Sequence, residues 1–141
     1  MALLRVGVRA ENWQSAIVSA GELLVEAGHV ESAYVREMVA VVEKLGPYIV
    51  LVDGVALAHA APGDLVHNNA ISLALLESPV DFGSQKMVQA VFAMAAKDHE
   101  SHIDSLAGLA EVLGDEQTRN ILLNAGDTVQ IETLLQGILG E

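Results

Sequence analysis

The chain has 141 residues, the size of one ordinary domain with a substantial hydrophobic core. Nineteen Asp and Glu residues against seven Lys and Arg residues give a formal net charge of −12, and so acidic a surface repels nucleic-acid backbones. The absence of cysteine excludes disulfide bonds, thiolate metal sites and a cysteine nucleophile.

Apolar residues make up 52% of the chain and aromatic residues only 4%, so we expect a core of Val, Leu, Ile and Ala. The apolar runs are broken by Asp53, His59 and Gln89, well short of the roughly 20 residues that a membrane span needs. No N-terminal stretch combines the basic region, apolar core and cleavage site of a secretion signal. We therefore expect a soluble, cytoplasmic protein without direct membrane insertion.

The first third of the chain predicts one strand and two helices. Residues 3–8 are rich in β-forming residues. Asn12 is a suitable N-cap for a helix with apolar residues at helical spacing, and Gly28 marks its end. A second helix begins at Glu31 and is ended by Gly46-Pro47.

A pair of strands follows. The β-branched run Tyr48–Val52 predicts a strand that stops at the turn pair Asp53-Gly54. A second apolar run ends on His59, and small residues with Pro62-Gly63 come next. His59 is therefore expected where a strand leaves the sheet, with little side-chain bulk beside it. Neutral imidazole is a good nucleophile near neutral pH, and a phosphoryl group would need such an open approach.

Two more strands are predicted after a polar loop over residues 62–69. Residues 70–76 form the first, which Glu77-Ser78-Pro79 is expected to break, with a loop over 80–86. Residues 88–96 form the second, which is apolar along most of its length and is expected to be buried.

Three helices complete the chain. Asp98 is a suitable N-cap for the first, whose expected apolar stripe consists of Ile103, Leu106, Ala110 and Leu113. The second is expected over roughly 116–124. Gly126-Asp127 introduces the last helix, which carries Val129, Ile131, Leu134, Leu135 and Ile138.

The predicted order is β-α-α-β-β-β-β-α-α-α. Helices on both sides of the strand block favour a single three-layer α/β/α domain with a mixed central sheet. No Pro- or Ser-rich linker and no internal repeat interrupts the sequence, so we expect residues 1–141 to form one domain.

One segment consists of Gly46-Pro47-Tyr48, a short strand, a Gly turn and the run Ala58-His59-Ala60-Ala61-Pro62. This segment resembles a known phosphorylation site. It is that of the enzyme IIA (EIIA) components of the bacterial phosphoenolpyruvate–sugar phosphotransferase system (PTS), mannitol/fructose class (type 2). The resemblance is greatest to the ascorbate-type branch. The family carries Gly-Pro-Tyr and then a Pro-His-Gly/Ala-Arg-Pro run with a phosphorylated histidine. The resemblance extends from about residue 12 to the C-terminus, and its specific part is 46–62.

The resemblance implies that His59 is the phosphorylated nucleophile, through its Nε2 atom. It also implies a second histidine, at the start of the helix after the fourth central strand, that hydrogen-bonds the phosphoryl group. The fragment around Asp98 and His102 matches that neighbourhood. Asp98 as N-cap places His102 about one turn into its helix, where the helix dipole favours an anion. The spacing to Leu106 and Leu109 places His102 at the border of the buried face.

The implied function is a phosphoryl relay without a cofactor in carbohydrate uptake. His59 would accept the group from the phosphocarrier protein HPr, with hydrogen bonds from His102 and from N–H groups around Ala60 and at the start of the helix. It would pass the group to a cysteine of an enzyme IIB, which works with a membrane component IIC. This chain has no cysteine and no membrane span, so it is expected to be neither IIB nor IIC. A homodimer stays open, because the alanine-rich helices could bury a dimer face or only the core.

Two departures from the family run favour an alternative. Ala58 stands where the family has proline, and Ala61 stands where it has an arginine that could steady phosphoryl oxygens. Lys44 lies close in sequence and could compensate. The alternative is a PTS-like regulatory or interaction domain of the same fold, with weak or no phosphoryl transfer.

The other histidines have simpler interpretations. His99, one turn before His102, is the other candidate for its role, whereas His67 is expected in a solvated loop and His29 at the surface. From local pattern alone, His59 could instead be a strand-end side chain bonded to a neighbouring carbonyl, and His102 a boundary residue. A metal site is a third possibility, although no His-x-x-x-His or His-Glu-x-x-His spacing occurs. Serine hydrolysis and nucleotide binding lack their motifs.

Overall fold

The structure is a computed structural model that describes residues 3–124 and 128–135. Within these residues the elements are β1 (Leu4–Val8), α1 (Trp13–Glu26), α2 (Ser32–Leu45), β2 (Val50–Val52), β3 (Gly54–His59), β4 (Ala70–Asp81), β5 (Met87–Ala95), α3 (His99–Leu113), α4 (Glu116–Leu123) and α5 (Thr128–Leu134). The predicted α/β class and the predicted order of strands and helices are confirmed.

The five described strands form one mixed sheet in the order β1-β4-β5-β3-β2. β1 is parallel to β4, β4 is antiparallel to β5, β5 is parallel to β3, and β3 is antiparallel to β2. Because β3 and β5 run in the same direction, both strands end at the same edge of the sheet. The loop after β3 and the segment leading into α3 are neighbours for this reason.

Each face of the sheet carries its own apolar core. One core packs the sheet against α1 and α2, through residues such as Ala20 and Met38. The other packs it against the C-terminal helices, through Leu109, Leu122 and Ile131. Successive strand residues alternate between the two cores, as the side-chain period of a strand requires. The three-layer α/β/α architecture is therefore also confirmed.

The predicted break at Glu77-Ser78-Pro79 is wrong. β4 continues through this segment to Asp81, and the register with β5 shifts between Leu75 and Val80. Such an irregularity accommodates a proline, because the residues within it do not contribute N–H groups to the regular ladder. Residues 77–79 are exposed, as expected for a segment that bulges from the sheet.

Two other predicted elements are corrected. β2 begins at Val50, and Tyr48 lies in a turn where the Val50 N–H donates to the Pro47 carbonyl at 3.1 Å. The expected stripe of α3 is wrong in part, since Ile103 is 63% exposed. Ala110 of that stripe is exposed too, and the residues that α3 buries are Leu109 and Leu113.

Ile131 of α5 and Leu135, the residue that follows the helix, are buried as expected, while Val129 is exposed. Gly126-Asp127 and Ile138 lie outside the described residues.

Replacing Gly21 by alanine is expected to destabilise the fold. A Cβ atom at Gly21 would lie 2.8 Å from Val35 Cγ2 and 3.0 Å from Met38 Cε, where α1 packs on α2. Overpacking of this kind costs about 1–3 kcal/mol of unfolding free energy, measurable by urea denaturation. The matched control is Gly108→Ala, also within a helix but with nothing within 4 Å of the added atom. The control should stabilise by about 0.5–1 kcal/mol. Equal gains in both variants would contradict close packing at Gly21.

Candidate functional site

His59 is the last residue of β3 and faces the C-terminal helices. Val55 and Leu57 belong to the core under α3, whereas Ala56 and Ala58 belong to the opposite core. The alternation of side chains along a strand therefore directs His59 to the α3 side. Its partner on β5 is Met94, one residue before that strand ends.

One hydrogen bond determines the tautomer of His59. Its Nδ1 atom lies 3.0 Å from the Leu57 carbonyl oxygen. A carbonyl oxygen can only accept, so Nδ1 carries the proton and donates it. The lone pair of the neutral ring is therefore on Nε2. The simpler interpretation of His59 expected a hydrogen bond to a neighbouring carbonyl, and this hydrogen bond is present. It leaves Nε2 as the basic atom.

His102 is brought to His59 by the start of α3. The Asp98 side chain accepts the Ser101 N–H at 2.8 Å, so the predicted N-cap is confirmed. The ring centroids of His59 and His102 are 5.3 Å apart, with an angle of 60° between the planes. Burial, and to a lesser extent the nearby His59 and His99, lowers the pKa of His102 below its ordinary value of 6.5. His102 is therefore neutral at pH 7, with one N–H to donate.

The two histidines line a shallow depression of about 210 Å³. Its lining residues are Val41, Tyr48, His59, Ala60, Ala61, Pro62, His99 and His102. The Tyr48 ring stands edge-on to His59, with centroids 6.0 Å apart. The small side chains after His59 keep the depression open, as the sequence predicted. No carboxylate and no Lys or Arg belongs to this lining.

The N–H group of Ala60 does not point to a free site, which corrects the expected donor there. It donates to the Tyr34 hydroxyl at 3.1 Å, and that hydroxyl donates to the Met94 carbonyl at 2.8 Å. Tyr34 is 1% exposed, and burial raises its pKa to about 12, so the hydroxyl keeps its proton. Sequence reasoning missed this residue. Its one signal was a tyrosine on the apolar face of α2, because a buried phenol needs a hydrogen-bond partner.

The loop after His59 is held against the α1–α2 connection. The Glu31 N–H donates to the Leu65 carbonyl at 2.9 Å, and the His67 N–H donates to the His29 carbonyl at 2.7 Å. These bonds draw His29 inside, where it is 5% exposed with Nδ1 unpaired, so its expected surface position is wrong. His67 is exposed as expected and its side chain contacts the Glu31 carboxylate.

Lys44 borders a second depression beside the first. This depression shares Val41, Ala60 and Ala61 with the histidine site. Among the residues that line these two depressions, Lys44 is the one Lys or Arg side chain. It is therefore the candidate to replace the missing arginine.

In the described part of the chain, no group of three His, Asp or Glu residues could hold a metal ion. Nor does any described helix have the length and apolarity needed to cross a membrane.

Comparison with known proteins decides the family. Residues 2–137 match the family described as "Phosphoenolpyruvate-dependent sugar phosphotransferase system, EIIA 2". The chain belongs to the EIIA 2 family. The family resemblance of the segment around His59 is therefore confirmed.

Two relatives and one solved structure illustrate what this chain is similar to. The mannitol-specific cryptic phosphotransferase enzyme IIA component of Escherichia coli is 30% identical over 127 residues, 89% of this chain and 86% of the relative. The ascorbate-specific EIIA component of the same organism is 35% identical over 101 residues, 70% of this chain and 66% of the relative. The Escherichia coli complex of enzyme IIAMtl with phosphorylated enzyme IIBMtl gives a TM-score of 0.85 at 29% identity, covering 96% of this chain and 94% of that one.

Replacing Tyr34 by phenylalanine in this EIIA 2 chain is expected to cost about 1–3 kcal/mol of unfolding free energy. The cost arises because the buried Ala60 N–H and Met94 carbonyl both lose their partner. Urea denaturation measures the loss, and amide hydrogen exchange at Ala60 should accelerate. Tyr48→Phe is the control, since the Tyr48 side chain is 47% exposed and should tolerate the change. Unchanged stability and exchange in Tyr34→Phe would contradict the role of the hydroxyl.

The titration of His102 should follow its environment. An NMR titration is expected to give a pKa below 6.5, which rises in His59→Asn but stays lowered because burial is the larger cause. Since the unfolded chain binds this proton more tightly, the contribution of His102 to stability is complete above about pH 6.5. It is lost as the pH falls through the lowered pKa. A pKa at or above 6.5 in the unmodified protein would contradict a partly buried ring that is neutral at pH 7.

Proposed function

We propose that this EIIA 2 chain, with residues 1–141 as one domain, accepts a phosphoryl group on Nε2 of His59. The donor is phospho-HPr and the acceptor is a cysteine of an enzyme IIB that works with a IIC component. The observation that carries the proposal is the His59 tautomer. The Nδ1–H bond to the Leu57 carbonyl leaves the lone pair on Nε2, and the ring lines an open depression.

The chemistry is a pair of displacements at phosphorus. The Nε2 lone pair of His59 forms a bond to phosphorus while the N–P bond of the donor phosphohistidine breaks, and its electron pair returns to the donor ring. A thiolate of the IIB cysteine then forms an S–P bond while the N–P bond to His59 breaks. The proton stays on Nδ1, which donates it to the Leu57 carbonyl in both steps, so the ring keeps its orientation.

His102 stabilises the transferring group in this proposal. Its ring is neutral and carries one N–H, and it lies next to His59 without adding a fixed positive charge. Hydrogen bonds aimed at phosphoryl oxygens act through positioning and charge stabilisation, and such a transfer needs no cofactor. His99 lines the same depression and is the alternative donor.

The partner assignment draws on a relative. The Escherichia coli enzyme IIAMtl, which shares this fold at a TM-score of 0.85, is known in complex with phosphorylated enzyme IIBMtl. By this analogy the open face around His59 and His102 receives the IIB partner here, and the protein acts in the cytoplasm. The chain is acidic overall, with a formal net charge of −12, which favours partners with positive or apolar docking patches.

Phosphoryl transfer tests the roles of both histidines. Phosphoenolpyruvate, enzyme I and HPr are incubated with the unmodified protein, His59→Ala and His102→Ala, and uptake is followed by intact mass. We expect one added phosphoryl group, absent in His59→Ala and acquired about 10²-fold more slowly in His102→Ala because a stabilising donor is lost. Uptake that persists in His59→Ala would identify a different nucleophile.

A regulatory or interaction domain is the second candidate, and one observation favours it. The depression has no cationic side chain in its lining, because alanine occupies position 61 and Lys44 lies in the neighbouring depression. A site without a cation transfers phosphate more slowly. No uptake by the unmodified protein from a competent HPr would reject the transport role and favour this candidate.

A further inference from the structure

The loop between β3 and β4, residues 60–69, connects the two halves of the site. Its first residue is held by the Tyr34 hydroxyl, and its middle is held by main-chain hydrogen bonds to residues 29 and 31. Its last residue, Asn69, makes a different kind of contact, which none of the roles described so far uses.

The Asn69 side-chain oxygen accepts the backbone N–H of Lys97 at 2.7 Å. Asn69 directly precedes Ala70, which pairs with Ala95 of β5, so the sheet fixes the Asn69 backbone. Lys97 directly precedes Asp98, the N-cap of α3. One side chain therefore connects the end of the His59 loop to the beginning of the helix that carries His102.

The start of α3 has little other anchorage. The first side chain of the helix that packs on the core is Leu106, which is only partly buried, and the first fully buried one is Leu109, seven residues beyond His102, or about 10 Å along the helix axis. Residues 99, 100, 103 and 104 are exposed. The first turn of α3, with His102, thus precedes the packed part of the helix, and a small tilt about Leu106 and Leu109 would move the His102 ring relative to His59.

We propose that Asn69 is a positioning residue that holds the first turn of α3 so that His102 stays against His59. This inference rests on the proposed phosphoryl transfer for its effect on rate, and on geometry alone for its effect on His102. Asn69 is exposed, so losing its side chain lets water satisfy the Lys97 N–H and changes global stability little. The effect is therefore concentrated at the site.

The rate test compares single-turnover transfer for four proteins over a range of phospho-HPr concentrations that reaches saturation. These are the unmodified chain, Asn69→Ala, Asn69→Asp and Asn68→Ala. Asn69→Ala should slow transfer roughly 5- to 30-fold, because a misplaced stabilising group loses much of its effect, with the KM for the donor unchanged. Asn69→Asp keeps an acceptor for the Lys97 N–H and should stay within about threefold of the unmodified rate. Asn68→Ala, the adjacent matched control, should match the unmodified protein.

Two further measurements separate positioning from a general structural effect. In a His102→Ala background, Asn69→Ala should slow transfer no further, because the group that it positions is absent. In the otherwise unmodified chain, Asn69→Ala should raise the pKa of His102 toward 6.5, because the displaced ring becomes more solvated. A loss of folded protein would instead slow transfer by the same factor in both backgrounds, and it would leave the pKa of His102 unchanged.

Full activity in Asn69→Ala, or equal slowing with and without His102, would overturn the proposal. If the unmodified protein accepts no phosphoryl group, the proposed function fails but the NMR experiment still decides the role of Asn69. An unchanged His102 pKa together with unchanged proton contacts between the His59 and His102 rings would then overturn it.

Discussion

The parallel pairing of β3 with β5 is the constraint on which the site depends. Parallel neighbours end at one edge of a sheet, so His59 and the segment into α3 leave the fold side by side. Side-chain alternation then directs His59 to the α3 face, and the Asp98 cap places His102 in the first turn of that helix. The strand pairing and the helix cap together therefore bring the two histidines close to each other.

The charge at the site differs from the net charge of the whole chain. A protein with a net charge of −12 would oppose a phosphoryl dianion if its carboxylates surrounded the acceptor. The lining of the depression instead contains no carboxylate and consists of imidazole rings, the Tyr48 ring and apolar side chains. The carboxylates lie outside this lining, and the net charge that they give the protein influences the approach of partners.

Signals that act over a few residues were readable from the sequence. The caps at Asn12 and Asp98, the helix end at Gly46 and the position of His59 at a strand end are local, and all are present in the structure. The features that escaped prediction depend on distant residues. Pro79 is tolerated within β4 because the register with β5 shifts there, and His29 is buried because the His67 segment hydrogen-bonds to it. The family resemblance pointed to His102 more directly than the local sequence pattern did.

The loop after His59 is fixed through its main chain. The Leu65 carbonyl and the His67 N–H are hydrogen-bonded, and the Ala60 N–H donates to the Tyr34 hydroxyl. Its shape is therefore nearly independent of the side chains that it presents outward, such as those of Asp64 and Asn68, which are exposed. Substitutions at those two positions can alter the surface offered to another protein while His59 keeps its tautomer and orientation. The fold thus lets the outer surface of the loop diversify around a constant pair of histidines.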